Sequence, residues 1–132
     1  MRKILFRGKS LFNGQWVLGS LVKAENICAI VPEGAAYCGG GEFDDAYGVD
    51  PSTVGQFTGM KDHNGARIFE GDILKMSSGK IGSVVYVNVC AGFGIEGIGD
   101  GCCLCVSADD ERQVIGNIYD EPKKMEGENA PD

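Results

Sequence analysis

The chain has 132 residues, 43% of them hydrophobic and 23% charged, which is the composition of a soluble globular protein with one domain or two small lobes. Its 12 basic and 19 acidic residues give a net charge of −7, which argues against nucleic-acid binding by the chain as a whole. The sequence has neither an apolar run of about 18 residues nor the start of a signal peptide, so we expect a cytoplasmic protein without a membrane span.

The first 53 residues predict a β lobe. The apolar runs at 4–6 and 11–12 are followed by Asn13-Gly14, which is typical of a hairpin turn leading into a strand at 15–22. A further strand is predicted at 27–31, ended by Pro32. Residues 33–52 are rich in glycine and acids and predict a long loop, of the kind that is functional, disordered or held by a neighbouring subunit.

The rest of the chain predicts short strands separated by turns. Strands are expected at 54–58, 72–76, 80–89, 102–106 and 113–119, because these stretches are rich in apolar and β-branched residues. Turns are expected at 62–65 and 77–79, and the glycines between 92 and 101 predict a flexible connector. Gly116 inside the last strand predicts a bulge or a close backbone approach. Residues 121–132 predict an acidic, frayed tail.

The charges are segregated along the chain. Residues 1–24 contain five basic residues and no acid, whereas residues 25–58 contain six acids and no base. Blocks of opposite charge usually neutralise each other. We therefore expect the two segments to lie side by side, within one subunit or between subunits.

An even number of cysteines is typical of a disulfide framework and can also indicate a metal site. The chain has six: Cys28, Cys38, Cys90, Cys102, Cys103 and Cys105. Without a secretory signal, reduced cysteines acting as small hydrophobic residues are the simpler interpretation. Cys102 and Cys105 form a Cys-x-x-Cys pair, but a structural zinc site needs a second pair. A strand at 102–106 would also place neighbouring side chains on opposite faces. We predict no metal ligand, and a metal or redox role for Cys102, Cys103 and Cys105 stays as an alternative.

Two glycine motifs resemble phosphate-binding loops. Residues 92–97 match the string GxGxxG, but that motif acts at the start of a helix, and here more glycines and a β pattern follow. Gly8-Lys9-Ser10 resembles the end of a P-loop, but Lys3 stands where the motif needs its first glycine. Neither motif predicts a cofactor.

The candidate catalytic groups form no convincing site. The acids considered are Asp62, Glu70, Asp72 and Glu42, with His63 as a possible base beside Asp62. Asp62 is better explained as a turn residue whose carboxylate accepts backbone N–H groups. Glu70 and Asp72 flank Gly71 at the entry to a strand, where exposed carboxylates are usual. We therefore predict no catalytic residue, no cofactor and no enzyme activity.

The aromatic residues allow two interpretations. Trp16 and the pairs Phe57/Phe69 and Tyr86/Phe93 are candidates for a platform on which nucleic-acid bases stack. Strand aromatics more often pack in the core, and the net negative charge favours that interpretation.

Residues 54–75, with the sequence VGQFTGMKDHNGARIFEGDILK, resemble the YopX family of phage and prophage proteins. Three further segments agree with that family in the same order: residues 2–8 with 14–21, residues 79–86, and the closing VIGNIYDEP at 114–122. The glycines and clustered cysteines at 90–105 depart from the family pattern.

The resemblance implies a mainly β protein, with an N-terminal β-hairpin lobe that takes part in self-association and a C-terminal, partly open SH3-like barrel. It implies no catalytic residue and no cofactor. We accordingly expect a lobe at 1–53 that contains the loop 33–52, a barrel at 54–120 and a tail at 121–132. The expected function is that of a homo-oligomeric protein-interaction module with an unknown phage or host protein as partner. Nucleic-acid binding by a small barrel is the second hypothesis.

Overall fold

The computed structural model describes residues 3–34, 47–96 and 111–125. Nearly all regular structure in these ranges is antiparallel β-sheet, and the described helices are two short 3-10 turns. The prediction of a mainly β fold is therefore confirmed, whereas the SH3-like barrel stays a prediction. The chain divides into two compact units, Met1–Phe57 and Thr58–Asp132, and the boundary falls within one strand.

The first unit is a β-sheet built on two hairpins. Its strands are β1 (Phe6–Lys9), β2 (Trp16–Ala24), β3 (Ile27–Pro32), β4 (Tyr47–Gly48) and the start of β5 (Gly55–Lys61), with a 3-10 helix at Pro51–Thr53. The strands lie in the antiparallel order β4-β3-β2-β1-β5. The core of this unit contains the buried side chains of Leu5, Ile30, Val49 and Phe57.

Part of the segment predicted as a long loop is regular structure. β4 and the 3-10 helix lie in its second part, and the side chain of Asp50 accepts the Ser52 N–H at 3.0 Å at the start of that helix. Thr53 at the end of the helix accepts the Lys9 N–H through its hydroxyl at 2.9 Å, which fixes the helix to β1. Residues 35–46 lie outside the described ranges.

The second unit contains the end of β5 and a four-stranded sheet. Its further strands are β6 (Arg67–Phe69), β7 (Asp72–Lys75), β8 (Ile81–Val87), β9 (Gly92–Glu96) and β10 (Gln113–Asn117), followed by a 3-10 helix at Pro122–Met125. The sheet has the antiparallel order β10-β7-β8-β9. Its core is a cluster of five buried residues, Ile68, Leu74, Met76, Val84 and Ile95.

The glycine-rich segment after residue 91 begins with a strand, so the prediction of a flexible connector is wrong for 92–96. β9 pairs with β8, with Phe93 opposite Tyr86 and Ile95 opposite Val84. Ile95 belongs to the buried cluster and Phe93 packs against it. This packing outweighs the low β propensity of the intervening glycines. The strand predicted at 102–106 lies outside the described residues.

The strand predicted at 80–89 is shorter than expected. β8 ends at Val87, and a turn at 88–91 joins it to β9. The side chain of Val89 in this turn is 96% exposed. Leu11 and Phe12 likewise lie in a loop between β1 and β2 rather than in a strand.

The last strand contains the predicted irregularity. Pairing between β10 and β7 shifts register between Val114 and Gly116, as a β-bulge does. A Cβ atom on Gly116 would lie 3.2 Å from the side-chain carbon Cδ of both Glu121 and Lys124. The bulge confirms the first of the two predicted alternatives, and the atoms closest to Gly116 belong to side chains rather than to another backbone segment.

Substitution of Gly71 tests the turn that enters β7. Gly71 has φ of +88°, and a Cβ there would lie 2.8 Å from Cε2 of the Tyr119 ring; Gly65 has φ of +83° with no atom within 4 Å. We expect Gly65→Ala to lower the free energy of unfolding by about 1–2 kcal/mol, the cost of a left-handed residue. Gly71→Ala should lose a further ~1–3 kcal/mol from overpacking. Urea unfolding measures both variants, and equal losses would contradict the close contact with Tyr119.

Candidate functional site: an apolar surface on the first unit

The loop between β1 and β2 is fixed by its own hydrogen bonds. The Ser10 N–H donates to the Gln15 carbonyl and the Gly14 N–H donates to the Ser10 carbonyl, both at 2.9 Å. The Asn13 side chain accepts the Gln15 N–H at 2.9 Å, and Gly14 takes a φ of +70°. The Asn13-Gly14 signal thus correctly located the turn, and it produces a loop whose backbone groups are largely satisfied.

This loop holds two large apolar side chains in solvent. Leu11 is 71% exposed and Phe12 is 93% exposed. Their backbone is held in place, because the Leu11 N–H donates to the Gly48 carbonyl at 2.9 Å and the Phe12 N–H donates to the Ser10 hydroxyl at 3.1 Å. Phe12 is therefore presented to solvent by a fixed loop.

A groove of about 510 Å³ lies beside Leu11. Ile27, which is 56% exposed, lines it at the turn between β2 and β3. The remaining lining is mostly apolar, and its charged members are Lys23 and Glu25, which have opposite signs; the other residues are Ala24, Asn26, Cys28, Ala29, Gly48, Val49 and Pro51. We call Leu11, Phe12, Ile27 and this groove the apolar surface of the first unit.

The apolar surface is also poor in charge. Residues 10–22 contain no charged side chain, although the chain as a whole has a net charge of −7. Leu11 and Ile27 border the same groove, and exposed apolar side chains that lie together mark interaction surfaces. Leu11 and Phe12 were expected to form one arm of the hairpin that turns at Asn13-Gly14, so this surface was not predicted. The available signal was their position directly before the Asn-Gly turn.

Asp62 is a structural carboxylate, as predicted. Its Oδ1 accepts the N–H groups of Asn64 and Ala66 at 2.9 and 2.8 Å, and its Oδ2 accepts the Val114 N–H at 2.9 Å. Burial raises the pKa of the Asp62 carboxyl, but the three N–H donors and the neighbouring His63 outweigh it, so the pKa lies below its ordinary value of 3.8. The carboxylate thus joins the β5–β6 turn to β10.

Two of the other acidic candidates, Asp72 and Glu70, lie within the described residues. Asp72 is 2% exposed and accepts the Phe69 N–H at 2.7 Å, so the expectation that it is a surface carboxylate is wrong. Its short side chain closes the turn around Gly71 from inside the unit. Glu70 is half-buried, and Glu42 lies outside the described residues.

Within the described residues, His63, Cys28 and Cys90 form no group of metal ligands. The His63 side chain is exposed and its backbone N–H donates to the Arg112 carbonyl at 2.9 Å. Cys28 is half-buried and Cys90 is exposed, and both are free thiols. Across the described ranges, no three His, Cys, Asp or Glu residues lie close enough to hold a metal ion. Cys38, Cys102, Cys103 and Cys105 lie outside those ranges.

The glycine motifs lie in strands. Gly8 and Lys9 belong to β1, and residues 92–96 of the GxGxxG string form β9. Gly8-Lys9 leads into the loop between β1 and β2 and not into the helix that phosphate binding by this motif requires, and the residues after Glu96 lie outside the described ranges.

The aromatic candidates are divided between core and surface. Phe57 and Phe69 are buried, as the core interpretation predicted. Tyr86 is 48% exposed, and its ring meets Phe93 edge-to-face with 5.6 Å between centroids.

Trp16 is half-buried and lies beside two cations on β1. The Arg7 guanidinium is 4.8 Å and the Lys9 ammonium 5.5 Å from its ring centroid, which are cation–π distances. The antiparallel register explains this contact, since Lys9 pairs with Trp16 and Arg7 pairs with Leu18 two residues further on.

The described chain is a mainly β protein of two units with antiparallel sheets, and its strand β10 carries a bulge. The family model described as YopX protein matches residues 5–126, and the chain belongs to this family. The fold is similar to that of protein EF1440 from Enterococcus faecalis, whose crystal structure matches with a TM-score of 0.64 and 22% identity over 95% of this chain and 99% of that one. No curated protein matches the chain. None of the described helices has the length and apolar character needed to cross a membrane.

Replacement of Asp62 tests its role in the second unit. Asn offers one acceptor oxygen where the carboxylate offers two, so Asp62→Asn leaves at least one of the three N–H groups poorly paired, and we expect a loss of about 1–3 kcal/mol at pH 7. Because the folded-state pKa is lowered, the carboxylate stabilises the fold above its ordinary value of 3.8 and this stabilisation disappears as pH falls through the lower folded value.

Urea unfolding of both proteins at pH 7 and at pH 2 measures this dependence. The difference between the native chain and Asp62→Asn should shrink at the lower pH. Asp50→Asn is the control and should change stability less at pH 7, because the hydrogen bond from the Ser52 N–H to Asp50 is exposed. A difference between native chain and Asp62→Asn that is the same at both pH values would contradict the assignment.

Proposed function

We propose that the protein is a non-enzymatic protein-interaction module of phage or prophage origin that forms homo-oligomers through the apolar surface of its first unit. The observation that carries the proposal is the exposure of Phe12, at 93%, on a loop that hydrogen bonds hold in one conformation. A rigid aromatic side chain loses little conformational entropy on binding. Aromatic residues are also common among the side chains that dominate interface energies.

The charge distribution supports a contact between copies. Each copy has a net charge of −7, so two copies repel each other unless they meet through surfaces of low or complementary charge. Leu11 and Phe12 lie in the uncharged stretch 10–22, and the charges of Lys23 and Glu25 at the groove have opposite signs. Self-association by the N-terminal lobe is also what the family resemblance implies.

The use of the carboxylates supports a non-enzymatic role. Asp50, Asp62 and Asp72 all accept backbone N–H groups, which assigns them to holding turns and caps. The proposed partner beyond a second copy is a phage or host protein in the cytoplasm, and no cofactor is included in the proposal.

Nucleic-acid binding is the second candidate because Arg7 and Lys9 lie against Trp16, which brings two cations beside an aromatic ring. The test is retention of labelled single- and double-stranded DNA and RNA at low salt, with loss of retention as salt rises. An absence of binding at low salt removes this candidate.

Substitution of Phe12 tests self-association. Light scattering should give the native chain a mass that is a multiple of 14.0 kDa, and Phe12→Ser should lower that mass because a buried Phe contributes about 1.5–3 kcal/mol to a contact. Phe12→Leu keeps an apolar side chain and is the control that should retain the native mass.

Phe12→Ser should leave the unfolding free energy within about 0.5 kcal/mol of the native value, since the side chain is exposed. A native chain that is monomeric at micromolar concentration would overturn the proposed self-association. A Phe12→Ser variant with the native mass would show that another surface makes the contact.

A further inference from the structure

We propose that the turn between β8 and β9 of one copy docks into the groove of the first unit of a second copy. We call residues 86–91 the hairpin tip; they are Tyr86, Val87, Asn88, Val89, Cys90 and Ala91. This inference rests on the proposed self-association, and it names the segment that covers the apolar surface.

The hairpin tip presents apolar side chains that its own unit does not cover. Val89 is 96% exposed and Tyr86 is 48% exposed, and the Cys90 side chain is exposed as well. A solvated turn is expected to carry polar residues there. An exposed Val at the end of a hairpin gains stability only when something covers it.

The hairpin tip is held in one shape. The N–H groups of Cys90 and Ala91 donate to the carbonyls of Val87 and Asn88, each at 3.2 Å. Ala91 has φ of +51°, and among the described residues it alone takes a positive φ without being glycine. Phe93 supports the base of the tip through its edge-to-face contact with Tyr86. A non-glycine residue is less stable in this conformation than at a negative φ, so the shape of the turn carries an energetic cost.

Charge favours a second copy as the occupant of the groove. The hairpin from residue 81 to residue 95 contains no charged side chain, and the charges of Lys23 and Glu25 at the groove have opposite signs. A chain with a net charge of −7 can approach itself at these two places without direct repulsion. A hairpin without a Lys or Arg offers no attraction to anionic lipid headgroups.

Shape favours the same pairing. The hairpin tip ends the β8–β9 hairpin, and the groove on the first unit has a volume of about 510 Å³. It therefore has room for the small side chains of Val89 and Cys90. Because two different surfaces meet, the contact is heterologous, and repetition of it gives a closed ring or an open filament.

Mixing two variants tests this pairing. Val89→Asp disables the hairpin tip and Ile27→Asp disables the groove; both positions are exposed, so folding should be preserved. Each variant alone should be a 14.0 kDa monomer in light scattering, and Val89→Ile should keep the native mass. An equimolar mixture should form two-chain complexes, because the first variant keeps its groove and the second keeps its tip.

The outcomes separate this inference from the proposed function. A monomeric native chain would overturn both. A native oligomer whose mass Val89→Asp leaves unchanged would overturn the docking of the tip while self-association stands. Two monomeric variants that do not combine when mixed, over a concentration series reaching the highest soluble concentration, would also overturn it.

Native cysteines provide a second measurement. Cys90 lies on the hairpin tip and Cys28 lines the groove, so the proposed contact brings them together between copies. In a chain with Cys38, Cys102, Cys103 and Cys105 replaced by Ser, oxidation by copper phenanthroline should give Cys28–Cys90 cross-linked oligomers. These should be absent from the same chain with Cys90→Ser. Cross-links confined to Cys90–Cys90 would overturn the pairing.

Discussion

The second unit depends on one buried carboxylate that serves two segments far apart in the chain. Asp62 accepts two N–H groups of its own turn and a third from Val114, fifty-two residues later. An ionised acceptor makes these hydrogen bonds stronger than neutral ones. The His63 N–H bond to the Arg112 carbonyl lies beside them. β10, which has only five residues and a bulge, is therefore attached by more than its pairing with β7.

In the first unit, hydrogen bonds stabilise an exposed loop, the one between β1 and β2. The β1–β2 loop satisfies its backbone groups through Ser10, Asn13 and the Gly48 carbonyl. Once those groups are paired, the loop does not need a buried side chain to keep its shape. Leu11 and Phe12 can therefore remain exposed without loosening the hairpin, which makes them available for a contact with another molecule.

Local chemistry made some features predictable. The turns at Asn13-Gly14 and Gly65 and the bulge at Gly116 were predicted because each requires particular backbone angles or the lack of a side chain. A single residue type, glycine or asparagine, is enough to indicate such a requirement. β9 was missed because its strand character comes from pairing with β8 and from packing of Phe93 and Ile95, which glycine-rich composition does not reveal. The burial of Asp72 was missed for the same reason, since a turn acid looks identical whether its partner N–H is buried or exposed.

The candidate site was the least predictable feature because an interaction surface has no fixed motif. Catalytic and metal sites require particular groups at particular distances, and their absence from a sequence pattern is informative. An apolar surface requires only that side chains which would normally be buried are left outside, which depends on where the loop and the hairpin end. The charge pattern does indicate where such a surface could lie. Residues 10–22 and 81–95 are long stretches without a charged side chain in a strongly acidic chain. For a chain of this net charge, uncharged stretches that reach the surface are where close approach between copies costs least. The first stretch borders the groove through Leu11 and the second forms the end of a hairpin, so a contact between them joins two different surfaces and has a direction.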